Sequence, residues 1–322
     1  MLEILPYTLE QKKRFDDFVL NDSINGTFLQ TQNFLEYHPT SRFEDASLLC
    51  HNSGIIYAAI LGAKIGDKFI SHPGTTFGGP IISPSHYTGN RVQDILKTLD
   101  NYLSIHYKKA KIRITPAIFS KESPDLLEYT LEHLGYIRKT ELSSYTPLNS
   151  NEDPLIYCDK ECRRIFRKAS DFSIEYRDFQ SIHDFEIFYE YLKLSKAKYN
   201  VAPVHTLEEL LELTNKRIPE NIRFRGIWHN GIFVAGMMFF IFPETKNIHA
   251  QYIATNPDFL NFQPATAIYI YAMREAAKEG FKNISWGIST ENQGDFLNLS
   301  LLHFKESFGA KHSANVIYTK NF

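Results

Sequence analysis

The sequence predicts an α/β (α+β) fold built as two tandem halves, residues 1–150 and 151–322, each a central mixed, twisted sheet flanked by helices. Three observations predict it. Helical and strand periodicities alternate along the chain. The order helix, strand, helix, glycine, strand over residues 91–147 returns over residues 264–320. Gly135 and Gly309, which stop the last helix of each half, lie 174 residues apart. That same offset places Ile112 on Trp286, Ile114 on Ile288, Ile95 on Tyr269 and Leu99 on Met273. Repetition at a fixed offset signals a repeated structural unit.

In the first half, Phe15 to Leu20 and Asn33 to Tyr37 read as helices. Ala46–His51 and Ile55–Leu61 read as strands around the turn Asn52-Ser53-Gly54. A further turn at Lys64–Lys68 precedes a strand over Phe69–His72, and then the glycine-rich segment Pro73–Pro80. Arg91 to Tyr107 carries Val92, Ile95, Leu96, Leu99 and Leu103 at helical spacing. Lys111–Thr115 is a strand, Pro124–Leu134 a helix stopped by Gly135, and Tyr136–Pro147 a strand. The polar run Asn149–Pro154 reads as a linker.

The second half opens with helices over Asp159–Ala169, Ile182–Ala197 and Thr206–Thr214, the last begun by the capping box Thr206/Glu209. Asn230-Gly231 marks a hairpin turn between Ile222–His229 and Ile232–Phe242, because a type I′ turn needs positive φ at both central residues. His249–Thr255 follows as a strand. Pro264–Glu279 is a helix with proline in its first turn. Asn283–Trp286 (strand), Phe296–Phe308 (helix) and His312–Lys320 (strand) complete the order.

With 322 residues, 43% hydrophobic and 14% aromatic, the chain can fill two cores, which excludes a disordered polymer. No apolar run approaches the roughly 20 residues of a membrane-spanning helix; the longest, Ile232–Phe242, is too short. Met1–Pro6 lacks the basic-then-apolar pattern of a secretory signal. Cys50, Cys158 and Cys162 form no paired framework, and no Cys or His stands at zinc-site spacing from Cys158 and Cys162, so no metal is expected. These features together predict a cytoplasmic protein. A net charge of −2 argues against DNA binding by bulk electrostatics. The local exception is the cluster Lys160, Arg163, Arg164, Arg167 and Lys168.

The element order helix, helix, hairpin, strand, helix, strand, helix, strand resembles the GNAT acyltransferase fold, and two in tandem resemble the FemABX group. Phrases of the sequence are similar to that group: Tyr37-His38-Pro39 with Arg42–Ser47, the segment Ser71–Pro80, the basic helix Arg163–Ala169, His205–Leu210, and Phe304-Lys305-Glu306-Ser307-Phe308-Gly309-Ala310. The resemblance covers most of the chain. It implies transfer of an acyl or aminoacyl group to the amine of a cell-wall or surface-polysaccharide precursor, with acyl-coenzyme A or aminoacyl-transfer RNA as donor. Peripheral contact with a membrane is compatible with it. The rival readings are an acyl-coenzyme A N-acetyltransferase acting on an amino sugar or small amine, and a ligand-binding protein on the same fold without catalysis. In place of the glycine-rich turn that cradles pyrophosphate in coenzyme A enzymes, the chain reads Asn256–Pro264, without glycine. No segment is long enough for the helical arm that some peptidoglycan members insert.

Amine acylation requires positioning, loss of an amine proton and stabilisation of an oxyanion. Lys305, on a helix otherwise lined by Leu301, Leu302, Phe304 and Phe308, is the candidate oxyanion stabiliser; the alternative is a surface lysine at a helix C-terminus. Tyr252 is a candidate proton donor or a packed core tyrosine, and Gln251 is its neighbour on the strand where the resemblance implies a GNAT donor would run. Trp286, Gly287, Ser289 and Thr290 end a central strand, where ligands bind in open sheets, although Trp286 suits a core position. Arg163, Arg164, Arg167 and Lys168 offer phosphate contacts or a solvated face. His72 and His205 are candidate bases or buried structural histidines. Phe77, Gly78 and Gly79 are placed at a cleft, or the glycines mark a bulge. Phe304 completes the expected substrate-binding set.

Overall fold

A computed structural model describes residues 2–39, 41–170, 173–198 and 200–322. The chain forms two compact units. Unit 1 comprises residues 1–142, 290–296 and 313–322; unit 2 comprises residues 143–289 and 297–312.

Unit 1 contains strands β1 (Glu3–Pro6), β2 (Glu44–Asp45), β3 (Leu48–Asn52), β4 (Ile55–Ile60), β5 (Ala63–Ile65), β6 (Lys68–Ile70), β7 (Ile81–Ile82) and β8 (Lys109–Arg113). Its helices are α1 (Lys12–Asn21), α2 (Gln32–Leu35), α3 (Gly89–His106) and α4 (Asp125–His133). One sheet has the order β1-β3-β4-β7. In the other, β8 is parallel to β6, and the order continues from β6 through β5 to β2. The core joins the buried stripe of α3 (Val92, Ile95, Leu96, Leu99, Leu103) to Ala110, Ile112 and Ile114 of the β8 segment and Leu127 and Leu131 of α4. The amphipathic spacing of α3 thus buries the face that its sequence sets apart.

Strand β9 (Ile137–Pro147) bridges the sequence boundary between the units, and its residues 143–147 belong to unit 2. Unit 2 continues with α5 (Lys160–Ser170), β10 (Ile174–Asp178), α6 (Ile182–Ala197), α7 (Leu207–Glu212), β11 (Ile222–His229), β12 (Ile232–Phe242), β13 (Asn247–Thr255), α8 (Pro264–Lys278) and β14 (Asn283–Ile288). Short strands β15 (Thr290–Glu291) and β16 (Phe296–Leu297), helix α9 (Leu299–Glu306) and strand β17 (Lys311–Asn321) end the chain. The sheet of unit 2 runs β10-β11-β12-β13-β14-β9. Among the described residues, β13 and β14 are the one parallel pair there. Asn230 and Gly231 take φ of +50° and +78°, as the hairpin turn requires. Helices α5 and α8 share one core, in which Cys162, Phe166 and Ala169 meet Ile268, Met273 and Trp286.

The repeated order appears as geometry. In unit 1, Lys109, Ala110 and Lys111 pair with Lys68, Phe69 and Ile70. In unit 2, Asn283, Ile284 and Ser285, each 174 residues further on, pair with Asn247, Ile248 and His249. Each unit therefore has two parallel strands joined by a three-residue ladder. The antiparallel strand on the far side of β8 is β17, through Ile317–Asn321, whereas that of β14 is β9, through residues 143–147. The final strand of the sequence completes the first unit.

Some elements depart from the sequence expectation. The helix expected from Phe296 begins at Leu299, because the Asn298 side chain accepts from Leu301 N at 3.0 Å and caps it there. The expected helix over Thr206–Thr214 ends at Glu212 and passes into a wider turn over Leu213–Arg217. Strand β10 had no expectation, since Ile174–Asp178 carries only two apolar residues among charged ones.

Candidate functional site

The site in unit 2 is built from two strands that part. Strands β13 and β14 keep their ladder only through His249 and Ser285. Both carry an extra residue just beyond that point. On β13, Ala250 and Tyr252 face the adjacent residues Phe239 and Met238, so Gln251 is a bulge. On β14, Ser285 and Gly287 face Tyr145 and Ser144, so Trp286 is a bulge. A bulge bends its strand and strengthens its twist. Two bulges at the same level separate strands that had been hydrogen-bonded, leaving main-chain groups that an extended ligand can pair with.

The bulge on β13 also re-aims side chains. Ile248 and Ala250 lie against the α8 core, and so does Ile253. The extra residue turns Tyr252 to the opposite face, which it shares with His249, because their partners Met238 and Phe240 lie on one face of β12. Tyr252 is buried, and its hydroxyl meets Nδ1 of His205 at 2.6 Å. Burial raises the phenol to about 12, so it stays protonated. His205 is itself buried in the segment before α7, and its carbonyl accepts from the Tyr189 hydroxyl of α6 at 3.2 Å. Helix α6 thus supports the pair from behind.

Across the opening, His249 Nδ1 lies 3.0 Å from Ser285 Oγ. Burial, and then the nearby Lys305 ammonium, push His249 down to about 4, so its ring is neutral at physiological pH. Gly287 has φ of +71°, a conformation that side chains resist, and a Cβ there would sit 3.4 Å from the His249 ring.

Lys305 is only 2% exposed. Its Nζ donates to Gly287 O at 2.9 Å and Ile288 O at 2.7 Å. Burial lowers it to about 8. The placement follows from α9: Phe304 and Phe308 pack on Tyr269 of α8, which stacks on Trp286, and this anchoring directs Lys305 at the end of β14. An ammonium has three donors, and two hold backbone carbonyls. Ser289 Oγ, one residue beyond, is buried and has no partner among the described residues. An orphaned buried hydroxyl is costly unless a ligand or water meets it.

The site therefore brings together Lys305, Tyr252, His205, Gln251, Gly287 and Ser289. Trp286 and Phe304 lie in the α8 core instead, the indole donating to Thr146 Oγ1 at 2.9 Å. Arg163, Arg164, Arg167 and Lys168 are on α5, whose other face packs on α8; Arg164 pairs with Glu161. Arg164 and Lys168 border a surface depression with Phe262 and Gln263 of the turn before α8. That turn is a 3-10 stretch, Pro257–Phe262, capped by the Asn256 side chain. Thr290 belongs to unit 1, with its hydroxyl buried and unpartnered among the described residues.

Unit 1 treats its matching strand opening differently. Ser71 N donates to Lys111 O at 2.8 Å, and Gly78 N and Gly79 N both donate to Arg113 O, at 3.0 and 3.2 Å. The glycine-rich segment so closes the gap between β6 and β8. Phe77, Gly78 and Gly79 are all buried. A Cβ at Gly78 would approach Ser71 Cβ to 2.9 Å, so this close seating requires glycine. His72 is buried, accepts from Gly74 N at 3.0 Å through Nδ1, and is lowered to about 4 by burial and then by His38.

His249 is the functional candidate that sequence reasoning passed over. Its signal was a polar residue between Ile248 and Ala250, on the strand face opposite the core.

Comparison with known proteins identifies the fold that carries this opening. Residues 158–305 match the family model of the acetyltransferase (GNAT) domain. A search of curated proteins returns no match. Among solved structures, FemX is similar over 99% of this chain and 97% of its own, at 12% identity and a TM-score of 0.72. The C-terminal domain of a putative lysylphosphatidylglycerol synthetase from Agrobacterium fabrum is similar over 97% of this chain and 92% of its own, at 11% identity and a TM-score of 0.61. A tandem GNAT protein from the clavulanic acid biosynthesis pathway is similar over 100% and 98%, at 10% identity and a TM-score of 0.58. The chain has a GNAT acyltransferase fold of the FemX kind.

Proposed function

We propose that the protein is an N-acyltransferase that moves an acyl or aminoacyl group to the amine of a cell-wall or surface-polysaccharide precursor, with its donor seated between β13 and β14. The observation that carries this reading is the open pair of bulged strands in unit 2, set against the matching pair in unit 1 that its own backbone closes. The donor lies extended along the parted strands. The acceptor amine attacks its carbonyl, the C–N bond forms as the C–S or C–O bond breaks, and the proton lost by nitrogen balances the one gained by the leaving group. Lys305 holds the end of β14 and directs positive charge at the developing oxyanion. Tyr252, kept protonated, supplies the leaving-group proton, and the neutral His249 accepts from the amine side.

The turn Pro257–Phe262 supports a donor other than coenzyme A, because it offers no glycine cradle for a pyrophosphate. An aminoacyl-transfer RNA donor fits that feature.

The test is amide formation, followed by mass spectrometry, with acetyl-coenzyme A or aminoacyl-transfer RNA and a peptidoglycan precursor. The expected result is an acylated amine from one donor class and loss of most turnover in Lys305→Ala. Ligand binding without product for every donor would overturn the reading in favour of a binding protein.

A further inference from the structure

The hydrogen bonds around Lys305 close into a ring. Its Nζ donates to Gly287 O at 2.9 Å. The residue before Gly287 is Trp286, the bulge of β14, whose Nε1 donates to Thr146 Oγ1 at 2.9 Å. Thr146 Oγ1 donates in turn to Phe308 O at 3.2 Å. The Phe308 amide then returns to Lys305 O at 3.1 Å. An indole N–H can only donate, so the Thr146 hydroxyl accepts there and its single hydrogen is left for Phe308 O. Thr146 is fully buried on β9, opposite Ile284 and within unit 2. Cross-strand neighbours share a face, which sets Thr146 with Ile284 on the α8 side of the sheet. Valine would fill the same space there; what threonine adds is the link. Trp286 and Phe308 are also joined through the ring of Tyr269, at centroid distances of 4.3 and 4.7 Å. Stacked rings tolerate sliding, whereas two directed hydrogen bonds fix a position.

We propose that Thr146 is a positioning residue for the transfer reaction: its hydroxyl ties the bulge of β14 to the end of α9 and so sets where the Lys305 ammonium stands. Without the hydroxyl, the indole N–H and the Phe308 carbonyl are left buried and unpaired, and each gains by moving toward water. The bulge and the helix end then drift apart, and Lys305 loses its hold on the Gly287 carbonyl. The consequence for turnover rests on the N-acyltransferase reading above, whereas the placement of Lys305 does not.

Competitive labelling of the full chain with acetic anhydride, read by mass spectrometry at Lys305, tests it. Thr146→Val is expected to raise Lys305 labelling about fivefold, as a locally opened site would. Thr146→Ser, which keeps the hydroxyl, restores protection to within about twofold of wild type. Trp286→Phe removes the indole donor but leaves the bond to Phe308 O, and gives an intermediate rise. In the transfer assay Thr146→Val lowers kcat about tenfold or more and leaves KM for the donor nearly unchanged. Burial holds Lys305 at about 8, so the ammonium form is lost as pH rises through that value. With Lys305 less buried, the alkaline limb of kcat moves up by about one pH unit. A residue that only supported the fold would lower the melting temperature and leave both the labelling and that limb in place. The proposal fails if Thr146→Val folds and labels Lys305 as wild type does, or if Thr146→Ser labels as heavily as Thr146→Val. If near-ultraviolet circular dichroism shows Thr146→Val unfolded, Trp286→Phe decides, and wild-type labelling of Lys305 in that variant overturns the proposal. Raised labelling in a protein that acylates nothing sinks only the enzyme reading, and labelling and turnover both unmoved by Thr146→Val sink only the role of Thr146.

Discussion

The hydroxyl of Tyr252 and Nδ1 of His205 share a hydrogen bond of 2.6 Å, and both side chains are buried. Removing one partner strands the other away from water. Tyr252→Phe is therefore expected to cost about 1–3 kcal/mol in stability, read from urea denaturation. In the transfer assay it should lower kcat at least tenfold and leave donor affinity nearly unchanged, because the role proposed for the phenol is on the leaving group. A fall in affinity alone would assign Tyr252 to binding.

Lys305 and His249 make opposite ends of the pH range informative. Lys305 is held at about 8 in the folded chain, below its ordinary value, by burial. The unfolded chain thus binds the extra proton between pH 8 and 10.5, and folding stability rises with pH across that window. Lys305→Met should flatten that rise in melting curves taken from pH 7.5 to 10.5.

His249 is likewise held at about 4, so stability falls as pH drops from 6.5 to 4. His249→Gln should reduce that fall without abolishing it, since His72 of unit 1 is also held at about 4. An unchanged acid limb would show that His249 does not titrate as its burial implies.

The two helix-stopping glycines predict unequal costs. Gly135 has φ of +87° with open space around its Cβ position, whereas Gly309 has φ of +71° and its Cβ would fall 2.7 Å from Tyr157 O. Gly135→Ala should lose about 1–2 kcal/mol from the left-handed backbone alone. Gly309→Ala adds an overlap with backbone that cannot move aside, and should lose more than about 3 kcal/mol. Guanidinium denaturation of both variants checks the order.

Local chemistry made much of the fold legible. Asn230-Gly231 specified its turn by needing positive φ, Thr206 with Glu209 specified a helix start, and the α3 stripe specified a buried face. Lys305 stood out as a charge among Leu302, Phe304 and Phe308. What the sequence could not display was its partner, because main-chain carbonyls at Gly287 and Ile288 have no side-chain signature. The bulges at Gln251 and Trp286 were hidden for a similar reason: a single inserted residue leaves strand composition unchanged but reverses which face each later side chain occupies. His249 and Tyr252, three apart, would lie on opposite faces of a regular strand.

The placement of β17 sets an order of events during synthesis. Residues 313–322 are part of unit 1, and Ile317–Asn321 form the antiparallel neighbour of β8. A ribosome that has made residues 1–142 has therefore not yet supplied the strand that closes that sheet. Domains usually fold as they emerge, amino end first. In this chain the earlier unit waits with an unpaired strand edge, a template for pairing with other chains, until residues 313–322 have been translated. Its completion is a contact between positions about 200 residues apart in the chain, which makes closure slow relative to local helix formation.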